Sequence, residues 1–329
     1  MQISSLIDIL GGRLLNHPSI SFIYSFKTDP SKVKEGDLFI AKNLDDVECA
    51  VKNGAFAIII ENFYPIIDNE IAWIKVDSIE KSLIHLIRFK LAHFNLEAYY
   101  CDEISFDFLN CFAFNSKKTI KLIPNDLQTF IKELDEIKDN DIIVSTNKSI
   151  LDKLYPNNKN FNKDVYGIKN LTEHSLFEVS FSFNDIYFQR VRLASIYIPQ
   201  LIASSVFLDL DLDLSRLKYF NNLKPLFLDK TYHVTDFGKS EKFVLVQENL
   251  DLITEEIKYI KTRYKYAKTI FITSSYIKSL NDEQIVLEDL DSLKDLLKNN
   301  SYNAAYLIGF SYDKVNEYLT NIEEEVTLF

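Results

Sequence analysis

The stretch KFVLVQENLDLITEEIKYI, residues 242–260, decides the fold class. Lys242–Gln247 is an apolar run of buried-strand type, and Asp251–Arg263 reads as the helix that follows it. The alternation then repeats: strand Thr269–Thr273, helix Asp291–Asn299, strand Ala304–Ile308, helix Tyr312–Leu319. Strands alternating with helices predict an α/β unit built on a parallel sheet.

Upstream, Ile3, Leu6, Ile7 and Leu10 fall on one helical face, with Gly11 where a left-handed cap would sit. Phe22–Phe26, Leu38–Ile40, Ala55–Glu61 and Ala72–Val76 read as strands, and Asp45–Asn53 as a helix stopped by Gly54. Asp77-Ser78-Ile79-Glu80 offers a capped start to a helix running to about His93, a connector into a second region. There Cys111–Phe114, Thr119–Ile123 and Asp141–Thr146 read as strands, Asp126–Glu136 and Ser149–Leu154 as helices, and 155–163 as a polar loop. Glu178–Phe183 and Ile186–Val191 form a hairpin around Asn184-Asp185, and Ser195–Leu208 is a helix with Pro199 in its first turns. A third region begins near Tyr219, and Glu323-Glu324-Glu325 is a solvated tail. The expected regions are 1–77, 78–218 and 219–329, in keeping with roughly 150 residues or fewer per domain.

Composition excludes several functions. Seven glycines in 329 residues is about 2%, against a usual ~7%. Only Gly11 and Gly12 are adjacent, so neither G-x-G-x-x-G nor G-x-x-x-x-G-K-[ST] occurs. A standard dinucleotide fingerprint or P-loop, which needs glycines where backbone approaches phosphate, is absent. The net charge of −11 disfavours nucleic acid, whose binding is mostly cationic neutralisation of phosphates. Cys49, Cys101 and Cys111 form no C-x-x-C pair, which suits a reducing compartment. No apolar run reaches membrane-spanning length, and the first residues read as a helix and not a leader, so the expected location is cytoplasmic with no membrane span.

Three stretches together resemble the Mur ligase family, which adds amino acids or dipeptides to the nucleotide-linked muropeptide precursor of the bacterial cell wall. They are Leu6–Glu61 (LIDILGGRLL, KTDPSKVKEGDLFIA, AVKNGAFAIIIE), Asp141–Leu214 and Lys242–Leu319. The likeness is greatest to the D-alanyl-D-alanine-adding branch, and it rests on the order of pieces. It implies a small N-terminal α/β domain that holds a uridine nucleotide, a central α/β domain reduced in size, and a C-terminal Rossmann-like α/β domain. In that frame Thr28 and Asp29 are the candidate substrate-binding residues. Lys118 and Thr119, in Asn115-Ser116-Lys117-Lys118-Thr119, are a weak counterpart of the family's phosphate loop.

The departures from the family are coordinated. The family's chemistry uses ATP and Mg²⁺ to phosphorylate a carboxylate before an amine displaces the phosphate. Lys118-Thr119 lacks both flanking glycines, and the 22 residues from Thr119 to Asp141 replace most of a nucleotide-binding domain. The helix RLASIYIPQLIASS stands where the family has His-Asn. The third strand ends Gln247-Glu248-Asn249 without the family's acidic or histidine signature, and Ile308-Gly309-Phe310-Ser311 carries no lysine. Apolar side chains from 99–123 are expected to fill the space of the missing loop. The reading is therefore a degenerate, non-catalytic homologue with a binding or scaffolding role near peptidoglycan precursor synthesis. It has no catalytic residue, metal or cofactor of its own, and its partner is a cell-wall synthesis protein or a uridine-nucleotide muropeptide. One alternative is an active D-Ala-D-Ala-adding ligase with a divergent ATP and Mg²⁺ site. Another is an unrelated α/β interaction module.

Overall fold

The computed structural model describes residues 1–321 except 124–126, 128–129, 132–133 and 163. Five of the eleven residues of the helix expected over 126–136 lie outside this set, as does the acidic tail. The first elements are α1 (Ile3–Leu10), β1 (Arg13–Leu14), β2 (Phe26–Lys27), β3 (Leu38–Ile40), α2 (Val47–Lys52), β4 (Ala57–Ile60) and β5 (Ala72–Lys75). They build a five-stranded sheet in the order β1-β5-β4-β3-β2, parallel from β2 to β5, with β1 antiparallel at one edge. The four side chains of β4 are all buried, as an uninterrupted apolar run requires of a central parallel strand. Gly11 caps α1 with φ 62°, donating its N–H to the Ile7 carbonyl.

The Gly36-Asp37 turn leads into β3. Asp37 is buried, and its carboxylate accepts from Ser25 Oγ at 2.6 Å and from the Lys34 N–H at 3.0 Å. Of the strand expected over 22–26 only Phe26–Lys27 pairs as strand, with a single bridge from Phe22 to Gln2. The Tyr24 N–H goes instead to the Gly36 carbonyl, so these aromatics line a loop.

Next come α3 (Ile79–Leu91), β6 (Glu97–Tyr100), α4 (Glu103–Phe112), β7 (Ile120–Leu122), β8 (Ile142–Ser145), α5 (Lys148–Leu154) and β9 (Lys159–Asn160). Ser78 caps α3 by accepting from the Lys81 N–H, and Glu61 accepts from Ile79 N–H at 3.0 Å. The four strands form a parallel sheet in the order β7-β8-β6-β9. Leu83, Leu86, Ile87 and Leu91 of α3 join one hydrophobic core with Leu38 and Ile59 of the first sheet and Ala98 and Ile143 of the second.

The expected strand over Cys111–Phe114 is instead the last turn of α4 and a 3-10 turn over 113–115. Ile104, Phe108, Cys111 and Phe112 are buried at three- and four-residue spacing, so helical packing overrides the β preference of the aromatics. Within the expected polar loop, β9 pairs beside β6 as an edge strand.

The remainder comprises β10 (Lys169–Ser175), β11 (Glu178–Phe183), β12 (Ile186–Val191), α6 (Ile198–Leu208), β13 (Leu226–Leu228), β14 (Val234–Thr235), β15 (Phe243–Gln247), α7 (Ile253–Arg263), β16 (Thr269–Thr273), β17 (Gln284–Val286), α8 (Leu293–Asn299), β18 (Ala304–Ile308) and α9 (Tyr312–Thr320). β10, β11 and β12 form an antiparallel meander, and positive φ at Asn184 and Asp185 makes the β11–β12 turn. The last sheet runs β14-β13-β15-β18-β16-β17; β15, β18, β16 and β17 are parallel and the β13–β14 pair is antiparallel at one edge. Gly309 leaves β18 with φ 82°, where a Cβ would collide with Ser274 Oγ. Two compact units result: residues 1–106 with 116–161, and 107–115 with 162 onward. Among the described residues no helix is long and apolar enough to cross a membrane.

Replacing Asp37 by Ala leaves the Lys34 N–H and the Ser25 hydroxyl without their buried acceptor. The expected cost is about 2–3 kcal/mol of stability. Urea unfolding followed by the fluorescence of Trp73, the chain's one tryptophan, measures it.

Candidate functional site

Ligands of parallel α/β sheets bind outside the carboxyl ends of the strands, where a strand turns into a helix. In the four-stranded sheet that position follows β6. The turn has only Cys101 and Asp102 before α4 begins. The Asp102 carboxylate accepts from the Ser105 N–H at 3.1 Å through Oδ1 and from Ser105 Oγ at 2.7 Å through Oδ2. A resident anion therefore occupies the positive end of the helix, and Glu103 adds a second negative charge to the first turn. Pairing of the sheet also continues past the strand, with Cys101 N–H donating to the Ser145 carbonyl and Phe161 N–H to that of Tyr100. A phosphate at this helix end would have to displace a carboxylate.

Lys118 and Thr119 lie elsewhere on the sheet. They precede β7, whose Ile120 is in register with Ile142 of β8, which is in turn in register with Glu97 of β6. They therefore stand at the amino ends of the parallel strands, the end of the sheet opposite the turn after β6. Both are exposed, and the Lys118 N–H donates to Ser116 Oγ in a local turn. Lys118 contributes to a surface cluster in which the Tyr99 hydroxyl and then Lys159 hold the Glu97 carboxyl below its ordinary range.

Thr28 and Asp29 lie at the carboxyl end of β2, in a recess of about 210 Å³ shared with Lys27, Lys32 and Lys90. Asp29 caps the following 3-10 turn, accepting from Ser31 N–H at 3.0 Å and Ser31 Oγ at 2.7 Å. Lys90 reaches in from α3 and sets its ammonium 4.6 Å from the centre of the Phe26 ring. Three ammoniums and one carboxylate leave this recess positive. Its volume suits a phosphate- or sugar-sized part of a ligand, below the usual ~300 Å³ for a whole small molecule. No local motif links Lys90 to Thr28, so only the packing of α3 beside β2 reveals it.

A third constellation is buried. Glu256 of α7, 1% exposed, accepts from Tyr197 Oη at 2.5 Å and Gln247 Nε2 at 2.8 Å through Oε1, and from the Tyr306 hydroxyl through Oε2. Gln247 also donates to Asn222 Oδ1 at 2.9 Å, and Asn222 donates to Asp107 Oδ2 at 2.6 Å. Burial raises the Glu256 carboxyl above its usual range despite its three donors. Burial and the Glu256 charge push the Tyr197 phenol far above its own. Phe220 stacks on Phe108 at 4.2 Å between centroids and meets Tyr197 edge-on at 5.5 Å. The helix start near Ser195 and the strand end at Gln247, where the family resemblance expects His-Asn and an acidic or histidine signature, thus converge on a filled, hydrogen-bonded interior.

Among the remaining candidates, His85 Nδ1 donates to the Ile9 carbonyl at 3.1 Å and His93 packs edge-on against Phe89. Asp209 is the left-handed cap of α6, and Asp213 caps the next 3-10 turn. Burial and then Asp107 push the Cys111 thiol up to about 11.

The whole fold has known counterparts. A MurF ligase from Thermotoga maritima, solved in complex with ADP, superposes with a TM-score of 0.52 at 15% identity, covering 90% of this chain and 96% of that one. MurF from Acinetobacter baumannii superposes with a TM-score of 0.57 at 11% identity, covering 97% and 98% of the two chains. No protein-family model and no curated protein matches the sequence. At these identities the likeness shows a Mur ligase-like α/β fold.

Two outcomes test the interior. Glu256→Ala leaves two tyrosine hydroxyls and an amide without their shared acceptor, for an expected loss of about 3–5 kcal/mol in chemical denaturation. A thiol with pKa about 11 is roughly one part in a thousand thiolate near pH 8. Ellman's reagent should therefore titrate the exposed Cys49 rapidly in the native protein, and Cys101 and Cys111, both buried, only after denaturant is added.

Proposed function

We propose that this chain is a degenerate Mur ligase homologue that binds or scaffolds and does not ligate, acting in the cytoplasm beside peptidoglycan precursor synthesis. The observation that carries the reading is Asp102, whose carboxylate holds the N-terminal N–H of α4 at the strand-to-helix turn where a phosphate would be received. The filled interior around Tyr197, Gln247 and Glu256 supports it, as does the fold shared with MurF ligases. In this reading residues 1–77 form the nucleotide-holding region, 78–218 a reduced central region and 219–329 the C-terminal region. No ATP, Mg²⁺ or other cofactor is needed, and Lys118 and Thr119 have no role in nucleotide binding.

What persists in this reading is the recess of Thr28 and Asp29. Its three lysines suit the diphosphate of a uridine-nucleotide muropeptide, and the hydroxyl and carboxylate suit the polar groups of a sugar or base. Retained binding without turnover makes the chain a sensor of the precursor or a platform for cell-wall synthesis proteins.

Isothermal titration with Mg-ATP and separately with uridine diphosphate tests both halves. No heat is expected from Mg-ATP at submillimolar concentration. Uridine diphosphate should bind, and Lys32→Ala with Lys90→Ala should weaken it about tenfold or more, as loss of charge-assisted hydrogen bonds implies. Formation of product from a nucleotide muropeptide, D-Ala-D-Ala and ATP would overturn the non-catalytic reading.

A further inference from the structure

The second unit contains a recess of about 510 Å³ that neither the Thr28–Asp29 region nor the turn after β6 touches. It lies between the end of β12, the connection 214–225 and the β13–β14 hairpin. Phe177, Phe220, Phe227 and Phe237 supply aromatic walls. Phe227 and Phe237 meet edge-to-face at 5.1 Å, which gives one side a rigid apolar surface.

The charged residues that line this recess are of one sign. Arg190, Arg192, Lys218 and Lys224 line it, and among the described residues no Asp or Glu does. Such an excess of cations is unexpected in a chain with 48 acidic and 37 basic residues. The cations are not equivalent. Arg190 is paired with Glu178 at 2.8 Å. Arg192 is exposed, with its guanidinium 4.7 Å from the centre of the Phe237 ring. Lys218 is also exposed, 4.9 Å from the Tyr219 ring centre. The half-buried Lys224 ammonium donates to the Lys218 carbonyl at 2.7 Å and to Asn221 Oδ1 at 3.2 Å, both uncharged acceptors. Lys239, and after it Arg192, holds the Asp236 carboxyl below its ordinary range, so Asp236 is engaged by Lys239.

We propose that this recess is a binding site for an organic anion with a flat apolar body. The phenyl rings remove the body from water, and the exposed cations at the rim meet a carboxylate, phosphate or sulfonate head. The volume falls within the range of small-molecule sites. Aromatic walls carrying a few convergent charged groups are the usual division of labour in such sites, the walls supplying affinity and the charges orientation. A guanidinium over an aromatic ring presents its N–H edge outward, the geometry that grips an oxyanion.

The test uses two fluorescent probes on the full chain. 8-Anilinonaphthalene-1-sulfonate is an aromatic anion, and N-phenyl-1-naphthylamine has nearly the same body without charge. The anionic probe is expected to bind saturably, more tightly than the neutral one, and to weaken as sodium chloride is raised. Arg192→Glu with Lys218→Glu should reduce its affinity about tenfold or more and leave the neutral probe unchanged. Lys52→Glu, an exposed site in the first unit, should do nothing. Arg192→Gln, which removes charge without reversing it, should give a smaller loss in the same direction, and thermal unfolding checks that each variant is folded. Equal affinity for the two probes, or an unchanged affinity of the anionic probe in the folded double variant, would overturn the proposal. Neither result bears on uridine diphosphate binding in the first unit, so the two readings stand or fall separately.

Discussion

The positive N-terminal end of α4 is met by an anion that the chain itself supplies. The first turn of an α-helix leaves N–H groups unpaired, and their dipoles add to make that end positive. Asp102 meets that demand from within, through both the backbone and the hydroxyl of Ser105. Only Cys101 and Asp102 lie between β6 and α4. The helix then carries Phe108 and Phe112 into a buried aromatic stack with Phe220.

The interior around Glu256 follows the same logic at lower dielectric. A buried carboxylate is tolerated when donors surround it, and here two phenols and an amide do so. Each member has its partner chosen by another: Gln247 is shared between Glu256 and Asn222, and Asn222 is held by Asp107. Such a network specifies one arrangement of α6, α7 and β15, because any shift strands a polar group.

Much of this architecture is legible in the order of residues. The strands Thr269–Thr273 and Ala304–Ile308 and the hairpin at Asn184-Asp185 stand where apolar runs and turn residues put them. So does the Gly11 cap, because buried parallel strands and left-handed turns leave unmistakable local patterns. The aromatic segment Cys111–Phe114 misleads, since Phe and Cys suit a strand or a buried helix face equally over four residues. Which pattern prevails is decided by the neighbours at helical spacing, Ile104 and Phe108. The Lys117–Thr119 motif holds the right residue types for a phosphate, but its strand begins where a phosphate site requires a strand to end.

Composition and pattern alone determined that the chain is a glycine-poor α/β protein lacking a standard phosphate loop, and the order of its pieces resembles that of the Mur ligases. Those properties are local and additive, readable a few residues at a time. Tertiary structure alone decided which side chains meet: Lys90 beside Thr28, Tyr197 on Glu256, and Arg192 above Phe237. Electrostatic and aromatic contacts act across a few ångströms of space, whatever the distance along the chain, so no reading of spacing could have paired them.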